Sequence, residues 1–513
     1  MTALSLAAVL EGSARKYPQK TAVISEGTSY TYAQLWGQAL QQAASLAGAG
    51  IRAGDAVAIM SPNVVDFPRS YYAVLAAGGV VVPVHLLLTV PEVVHVLADS
   101  GATMLICHPS FLPVGGPAAA EVGIPVVTST WPQQDAEDPG LDAGLEPAKL
   151  AHYVAREAED PAVVFYTSGT TGTPKGAILT QVNMVMNATV SAVDANDVHY
   201  DDVALGCLPL FHVFGQTASM NAVFRLGATL VLLPRFSGAG ALGLIREHQV
   251  DVFHGVPTMF HQLLASAEDE SELPRLRLCV SGGAAMAQTL MERFNAAFDV
   301  TIFEGYGLSE TSPVVSTNTP NAGVKPGTVG PAIWGVDVMI SDRTTPETLA
   351  ELPHGELGEI LVRGHNVFAG YLGNAEATEA AMIEGWFRTG DLGTMDDDGF
   401  ITVLDRTKDV IIRGGFNVYP REVEEVLSRC PGIEQVAVIG VPDEERGEEI
   451  CAVVIRDTGD DGAEPTAEDI IAWSRTRLAK HKYPRRIRFV GQFPLGPSHK
   501  ILKRELRRDV AGE

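Results

Sequence analysis

The sequence predicts a large α/β N-terminal domain with parallel helix-covered sheets, followed by a small α+β C-terminal domain. Three observations carry this expectation. The chain has 513 residues, more than a single hydrophobic core normally supports. From about residue 160, short β-branched runs alternate with helix-like stretches. After Asp405-Arg406-Thr407-Lys408 that rhythm gives way to the strands and helices of a smaller unit, which divides the chain into domains at 1–405 and 406–513.

The elements follow in order. Residues 1–10 are apolar but lack a basic leader, and Glu11 and Arg15 come next, so this start reads as an amphipathic helix rather than a targeting segment. Residues 22–107 already show the alternation of strand and helix, which suggests two α/β halves. The most apolar run, 73–88, is interrupted by Gly78, Gly79, Pro83 and His85. It falls short of the roughly 20 uninterrupted residues of a membrane span, so no transmembrane segment is expected. The Pro- and Gly-rich stretch 113–147 reads as a surface excursion. Strands are expected at 162–166, 228–233, 250–254 and 276–281, with 239–248 and 257–267 long enough for right-handed crossover helices. In the small domain, 433–441 and 450–456 read as strands, and 421–430 and 466–480 as helices.

Composition narrows the class. Hydrophobic residues at 46% against 19% charged are too many for a disordered chain. Acidic residues outnumber basic ones, 62 to 37, and the formal charge of −25 argues against nucleic acid as a partner and suits a soluble cytoplasmic protein. Residues 471–508 are the exception, with twelve Lys/Arg and one acid, Glu505. Such a run is either a solvated face or a surface that meets a polyanionic small molecule. The five cysteines, Cys107, Cys207, Cys279, Cys430 and Cys451, are far apart and form no C-x-x-C pair, so neither a disulfide framework nor a zinc site is expected.

The strand at 162–166 opens into Thr167-Ser168-Gly169-Thr170-Thr171-Gly172-Thr173-Pro174-Lys175-Gly176. Glycines let the backbone approach an anion, hydroxyls donate to phosphate oxygens, and a lysine supplies a countercharge. Pro174 before the lysine and Gly176 after it distinguish this phosphate loop from the P-loop of NTPases. Residues 166–176 closely resemble the signature of the adenylate-forming superfamily, which includes acyl-CoA synthetases, peptide-synthetase adenylation domains and luciferases. Gly305-Tyr306-Gly307-Leu308-Ser309-Glu310-Thr311 resembles its second nucleotide motif, with Ser309 where Thr is commoner. Trp386-Phe387-Arg388-Thr389-Gly390-Asp391 matches the ribose motif. Asp405 to Asp409, with Gly414-Gly415-Phe416-Asn417-Val418-Tyr419-Pro420, matches the hinge region that joins the two domains. Pro497-Ser498-His499-Lys500-Ile501-Leu502-Lys503 matches the C-terminal lysine motif, with His499 where Gly is usual.

The resemblance implies two half-reactions with ATP, Mg²⁺ and coenzyme A. A carboxylate attacks the α-phosphorus of ATP, pyrophosphate leaves, and the acyl-adenylate is then transferred to the thiol of coenzyme A. ATP would be held by Thr167, Ser168, Gly169, Thr170, Thr171, Gly172 and Lys175, by Gly283 and Ala284, and by Gly305, Tyr306, Gly307, Ser309 and Glu310. Asp391 and Arg406 would hold its ribose. Glu310 with Thr167 would bind the Mg²⁺ ion, a hard oxygen-seeking cation. Lys500 would bridge the two reacting anions, an electrostatic contribution of about 3–4 kcal/mol. Read without its neighbours, Lys500 is a surface lysine in a basic tail. Lys408 would be the pivot on which the small domain turns, and Gly414 and Gly415 would line the thiol tunnel.

For the acid, residues 207–216 resemble the gating motif of the acyl-CoA synthetase branch, with His212 at its centre as a further catalytic residue. Phe211, His212, Val213, Gln216, His254, Val256, Gly283 and Gly307 are the candidate acyl-site residues. A second carboxylate would need a fixed cation, and only Arg225 and Arg235 are near. The expected substrate is a monocarboxylic medium- or long-chain fatty acid. Malonyl- or aryl-CoA ligation, loading of a carrier protein by an acyl-AMP ligase, and a catalytically silent nucleotide-binding regulator are the alternatives. A homodimer and a lysine acyltransferase acting on Lys500 are further partners that the resemblance suggests.

Overall fold

Two large sheets exchange segments of the chain, and the site forms where their strand ends meet a third sheet. The computed structural model describes residues 4–130, 150–167, 174–267, 272–344, 348–457, 464–496 and 500–511. An eight-stranded sheet runs in the order Val314–Thr317, Ile302–Gly307, Leu278–Ser281, Val252–Gly255, Val203–Gly206, Thr229–Leu232, Thr21–Ser25 and Thr28–Thr31. Its six inner strands are parallel and its two edges antiparallel. The helices Gly238–His248 and Pro257–Ala265 are its crossovers, as the spacing predicts.

The second sheet has seven strands, in the order Gly370–Tyr371, Lys175–Thr180, Pro161–Thr167, Val80–Pro83, Ala56–Met60, Met104–Cys107 and Val126–Thr128. The alternation over 22–107 is therefore divided. Thr21–Ser25 joins Thr229–Leu232 in the first sheet, while the strands from Ala56 to Cys107 build the second. Between the sheets lies the helix Asp66–Ala76, buried along its whole length. Its Tyr72 hydroxyl donates to Asn221 Oδ1 at 2.7 Å, and Asn221 Nδ2 donates to the Tyr71 hydroxyl at 3.2 Å. One hydrophobic cluster unites Val23 and Leu230 of the first sheet with Val57 and Phe165 of the second.

Residues 113–147 differ from the expected excursion. Leu112–Val122 is a helix and Val126–Thr128 a strand paired with Met104–Cys107; residues 131–147 lie outside the described residues. Pro113 sits in the helix's first turn, where its missing N–H costs nothing. A Cβ at Gly115 would stand 2.9 Å from Cys107 Sγ, so this glycine is a packing residue, not a breaker. The first helix is Ala8–Lys16, later than expected.

A third, antiparallel sheet of Val336–Ser341, Gly358–Gly364, Trp386–Met395, Met382–Ile383 and Ile401–Arg406 has no counterpart in the sequence reading. Turns rather than long helices connect most of its strands, so it lacks the α/β rhythm. The small α+β unit is a five-stranded sheet that includes Ile433–Asp443 and Gly447–Arg456, with helices Pro420–Leu427 and Ala467–Arg475. All five cysteines are buried and unpaired. Among the described residues no helix is long and apolar enough to cross a membrane.

Candidate active site

The parallel strands Val252–Gly255, Leu278–Ser281 and Ile302–Gly307 end at one edge of the first sheet, the edge at which open α/β sheets bind ligands. Just past them lie Val256, Gly283 with Ala284, and the short 3₁₀ turn Ser309–Thr311 that follows Gly305, Tyr306 and Gly307 at the strand's end. Gly283 and Ala284 are exposed, and Gly283 has φ +80°, a conformation that L side chains rarely adopt. A Cβ added there would meet Lys500 Cε at 2.9 Å, Lys500 Nζ at 3.3 Å and Val256 Cγ1 at 3.6 Å. The small unit therefore delivers Lys500 onto the strand ends.

The third sheet supplies the next pair. Asp391 and Arg406 are cross-strand partners on adjacent strands. Asp391 is buried; its Oδ2 accepts from the Tyr306 hydroxyl at 2.6 Å, and its Oδ1 faces Arg406 Nε at 3.2 Å. Burial pushes the Asp391 carboxyl above its ordinary value, while Arg406 and Tyr306 pull it back. Lys500 is held down to about 8 by burial and by the Arg406 charge, with Asp391 acting the other way. His212 is driven to about 3 by burial, with Lys500 and His85 adding to the effect, so its ring is neutral near pH 7.

The second sheet contributes the opposite wall. Thr167 and Lys175 are paired at the mouth of the phosphate loop. Lys175 Nζ stands over the Tyr371 ring at 5.3 Å, and the Tyr371 hydroxyl donates to Glu310 Oε1 at 2.9 Å. Tyr371 was not among the sequence-derived candidates. It lies outside every motif and arrives only because Gly370–Tyr371 pairs with Lys175–Thr180. Among the described residues no group of three or more His, Cys, Asp or Glu side chains could hold a metal ion. A lone Glu310 carboxylate with the Thr167 hydroxyl does suit Mg²⁺ bound largely through substrate phosphates.

On the acyl side, Phe211 and Val213 are buried beside His212, and His85, also missed, packs its ring 4.8 Å from that of Phe211. Gln216 is fully buried and turns back, its Nε2 donating to the Leu210 carbonyl at 2.9 Å. His254 is fully buried on the strand Val252–Gly255. Gly414 and Gly415, with φ +57° and +83°, stand exposed at a hairpin tip beside the exposed Ile412 and Phe416 and do not line the Lys500 site. Lys408 is exposed two residues past Arg406. Ser168, Gly169, Thr170, Thr171, Gly172 and His499 lie outside the described residues. Part of the basic C-terminal run is internally paired: Lys482 with Glu422, Lys503 with Glu424, and Arg507 with Asp409.

A sheet edge with Gly283 at its rim, a buried carboxylate beside an arginine, and a lysine from a second unit make up the candidate site of an enzyme. Residues 10–372 match the AMP-binding enzymes and residues 422–500 their C-terminal domain. The chain belongs to this family, within the adenylate-forming superfamily of acyl-CoA synthetases. It is 35% identical to a long-chain-fatty-acid–CoA ligase of Bacillus subtilis (strain 168), over 98% of this chain and 94% of that protein. It is 37% identical to a feruloyl-CoA synthase of an Amycolatopsis species, over 96% and 97%. ATP-bound MatB from Rhodopseudomonas palustris superimposes with a TM-score of 0.88 at 33% identity, covering 99% of both chains. The chain is thus an adenylate-forming acyl-CoA ligase.

Proposed function

We propose that this ligase activates a monocarboxylic medium- or long-chain fatty acid. The observation that carries the reading is the placement of the two arginines near the gating motif. Arg225 is exposed and donates through Nε to Thr189 Oγ1 at 3.1 Å, beside the N-terminal helix, and Arg235 is exposed. Neither supplies a fixed cation for a second substrate carboxylate, which burial would make costly unless it were paired. The long-chain-fatty-acid ligase relatives support the reading. An aryl acid is the second reading, favoured by the Phe214 and His254 rings and by the feruloyl-CoA synthase relative.

In the first half-reaction a carboxylate oxygen bonds to the α-phosphorus of ATP as the bond to the β-phosphate bridge breaks. Lys500 lies between the two anions and offsets their repulsion. Lys175 and the phosphate loop hold the departing pyrophosphate, and Asp391 and Arg406 fix the ribose. Mg²⁺, held by Glu310 and Thr167, would neutralise phosphate charge. In the second, the small domain, residues 406–513, turns about Lys408, withdraws Lys500 and brings Gly414 and Gly415 to the site. The thiol sulfur then bonds to the acyl carbon, AMP leaves, and the thiol proton passes to solvent. The test is pyrophosphate release with acetate, malonate, benzoate, octanoate and palmitate, each with and without coenzyme A. Turnover that peaks with octanoate or palmitate and yields thioester is expected; a peak with malonate or benzoate would overturn the fatty-acid reading.

A further inference from the structure

His254 is fully buried, yet neither Nδ1 nor Nε2 has a hydrogen-bond partner among the described residues. A buried polar atom without a partner carries a desolvation cost that native structures rarely leave uncompensated. Two unpaired nitrogens on one ring therefore call for a purpose. The side chain also has a definite direction. Along the strand Val252–Gly255, Phe253 packs its ring 4.9 Å from Phe260, into the cluster on the outer face of the sheet. His254 alternates to the other face, which it shares with Val252 and its cross-strand partner Val280. That face packs against the segment carrying Met220 and Val223.

The segment Gly215–Asn221 is wound as a π-helix, a form that recurs at functional sites. It carries three more orphaned atoms, Gln216 Oε1, Thr217 Oγ1 and Ser219 Oγ, all on fully buried residues. Phe214, which leads into it, is half-buried and meets the His254 ring edge-on at 6.5 Å. Its Cζ would lie 3.0 Å from a Cβ at Gly282, one residue before Gly283, which approaches Lys500. Phe214 thus stands at the boundary between the Lys500 site and a polar layer sealed behind it.

We infer that His254 is a specificity residue of the acyl site, receiving an uncharged hydroxyl or ketone oxygen carried on the otherwise apolar body of the acid once Phe214 swings aside. A neutral imidazole offers one donor and one acceptor, which a hydroxyl can use either way and a ketone through the donor. Burial holds the ring at about 4, so it is uncharged at neutral pH and gives no countercharge to an anionic group. The inference rests on the acyl-CoA ligase reading and narrows its substrate.

The test is kcat/KM for pyrophosphate release with matched pairs: octanoate and ω-hydroxyoctanoate, decanoate and an oxodecanoate, cinnamate and p-hydroxycinnamate. The oxygenated member of at least one pair is expected to win by about tenfold or more, because a site built to hydrogen-bond a substrate group rejects the analogue that lacks it. His254→Phe should bring that ratio close to one, and His254→Gln, which keeps a donor and an acceptor, should restore part of it. Equal kcat/KM within every pair for the wild-type enzyme overturns the inference and leaves the ligase reading standing, whether or not the variants fold. A preference that survives in His254→Phe also overturns it. Absence of turnover with all six acids would overturn both.

Discussion

At the scale of the residue, Lys500 sets the strongest expectation. Burial and Arg406 lower its pKa to about 8, so the free enzyme loses the cation as the pH rises through that value. The kcat/KM for adenylation should therefore fall above about pH 8, since kcat/KM reports groups of the free enzyme. The transfer of a supplied acyl-adenylate to coenzyme A should show no such limb. Lys500→Ala should cost adenylation about 10²–10³-fold and spare the transfer; equal losses in both would sink the two-step assignment. Tyr371→Phe removes the hydroxyl that donates to Glu310. A hydrogen bond to a charged group is worth about 1.5–3 kcal/mol, so a drop in adenylation of about 10- to 150-fold and a raised Mg²⁺ requirement are expected, measured by pyrophosphate release across a Mg²⁺ titration. The contrast between these residues shows what a sequence can reveal. Lys500 and Asp391 stand inside contiguous motifs, whereas Tyr371 reaches Glu310 only through strand pairing, which leaves no local mark.

At the scale of the element, the turn after Ile302–Gly307 is set by a close approach. A Cβ at Gly307 would lie 1.8 Å from the Pro313 carbonyl oxygen, so Gly307→Ala must push apart two antiparallel strands. A loss of about 1–3 kcal/mol is expected from such overpacking, with weaker ATP binding, measured by denaturation and by calorimetric titration. An unchanged affinity would mean that the turn relaxes without moving Tyr306. In the small unit, Arg413 and Glu449 are both buried and joined at 2.8 Å. Arg413→Ala leaves Glu449 with the Arg446 guanidinium at 3.2 Å as its remaining charged partner, so a loss of about 1–3 kcal/mol is expected in that unit, seen as faster amide exchange along Gly447–Arg456. Element type was legible where rhythm was regular, as in the crossovers of the first sheet. It failed at Leu112–Val122, where Pro113 and Gly115 look like breakers in the sequence but serve a helix start and a tight contact with Cys107.

At the scale of the molecule, the order of the motifs predicts the two units, but not that the early strands divide between two sheets, because strand pairing across the chain has no periodic signature. Nor does it predict how lightly the helices of the large unit touch the small one. Glu425 accepts from Gln288 N at 3.3 Å, Arg429 donates to Gln288 Oε1 at 2.9 Å, and His261 meets Glu434 at 3.3 Å. Polar contacts of this kind let domains move relative to one another. Near Lys408, Asp405 accepts from the Arg421 N–H at 3.1 Å, a contact that any turn about Lys408 must exchange, whereas Asp409 accepts from Arg507 at 2.9 Å on the same side of the pivot. Lys408→Pro would fix φ at the proposed pivot and restrict Thr407 before it. With Lys500 already at the strand ends, pyrophosphate release on acid and ATP should stay within a few-fold of wild type. Thioester formation from a supplied acyl-adenylate should fall by about tenfold or more, because that step requires the turn. Rapid-quench measurement of each half-reaction decides the matter: a fall confined to transfer fits a hinge at Lys408, and equal falls in both halves would place the pivot elsewhere.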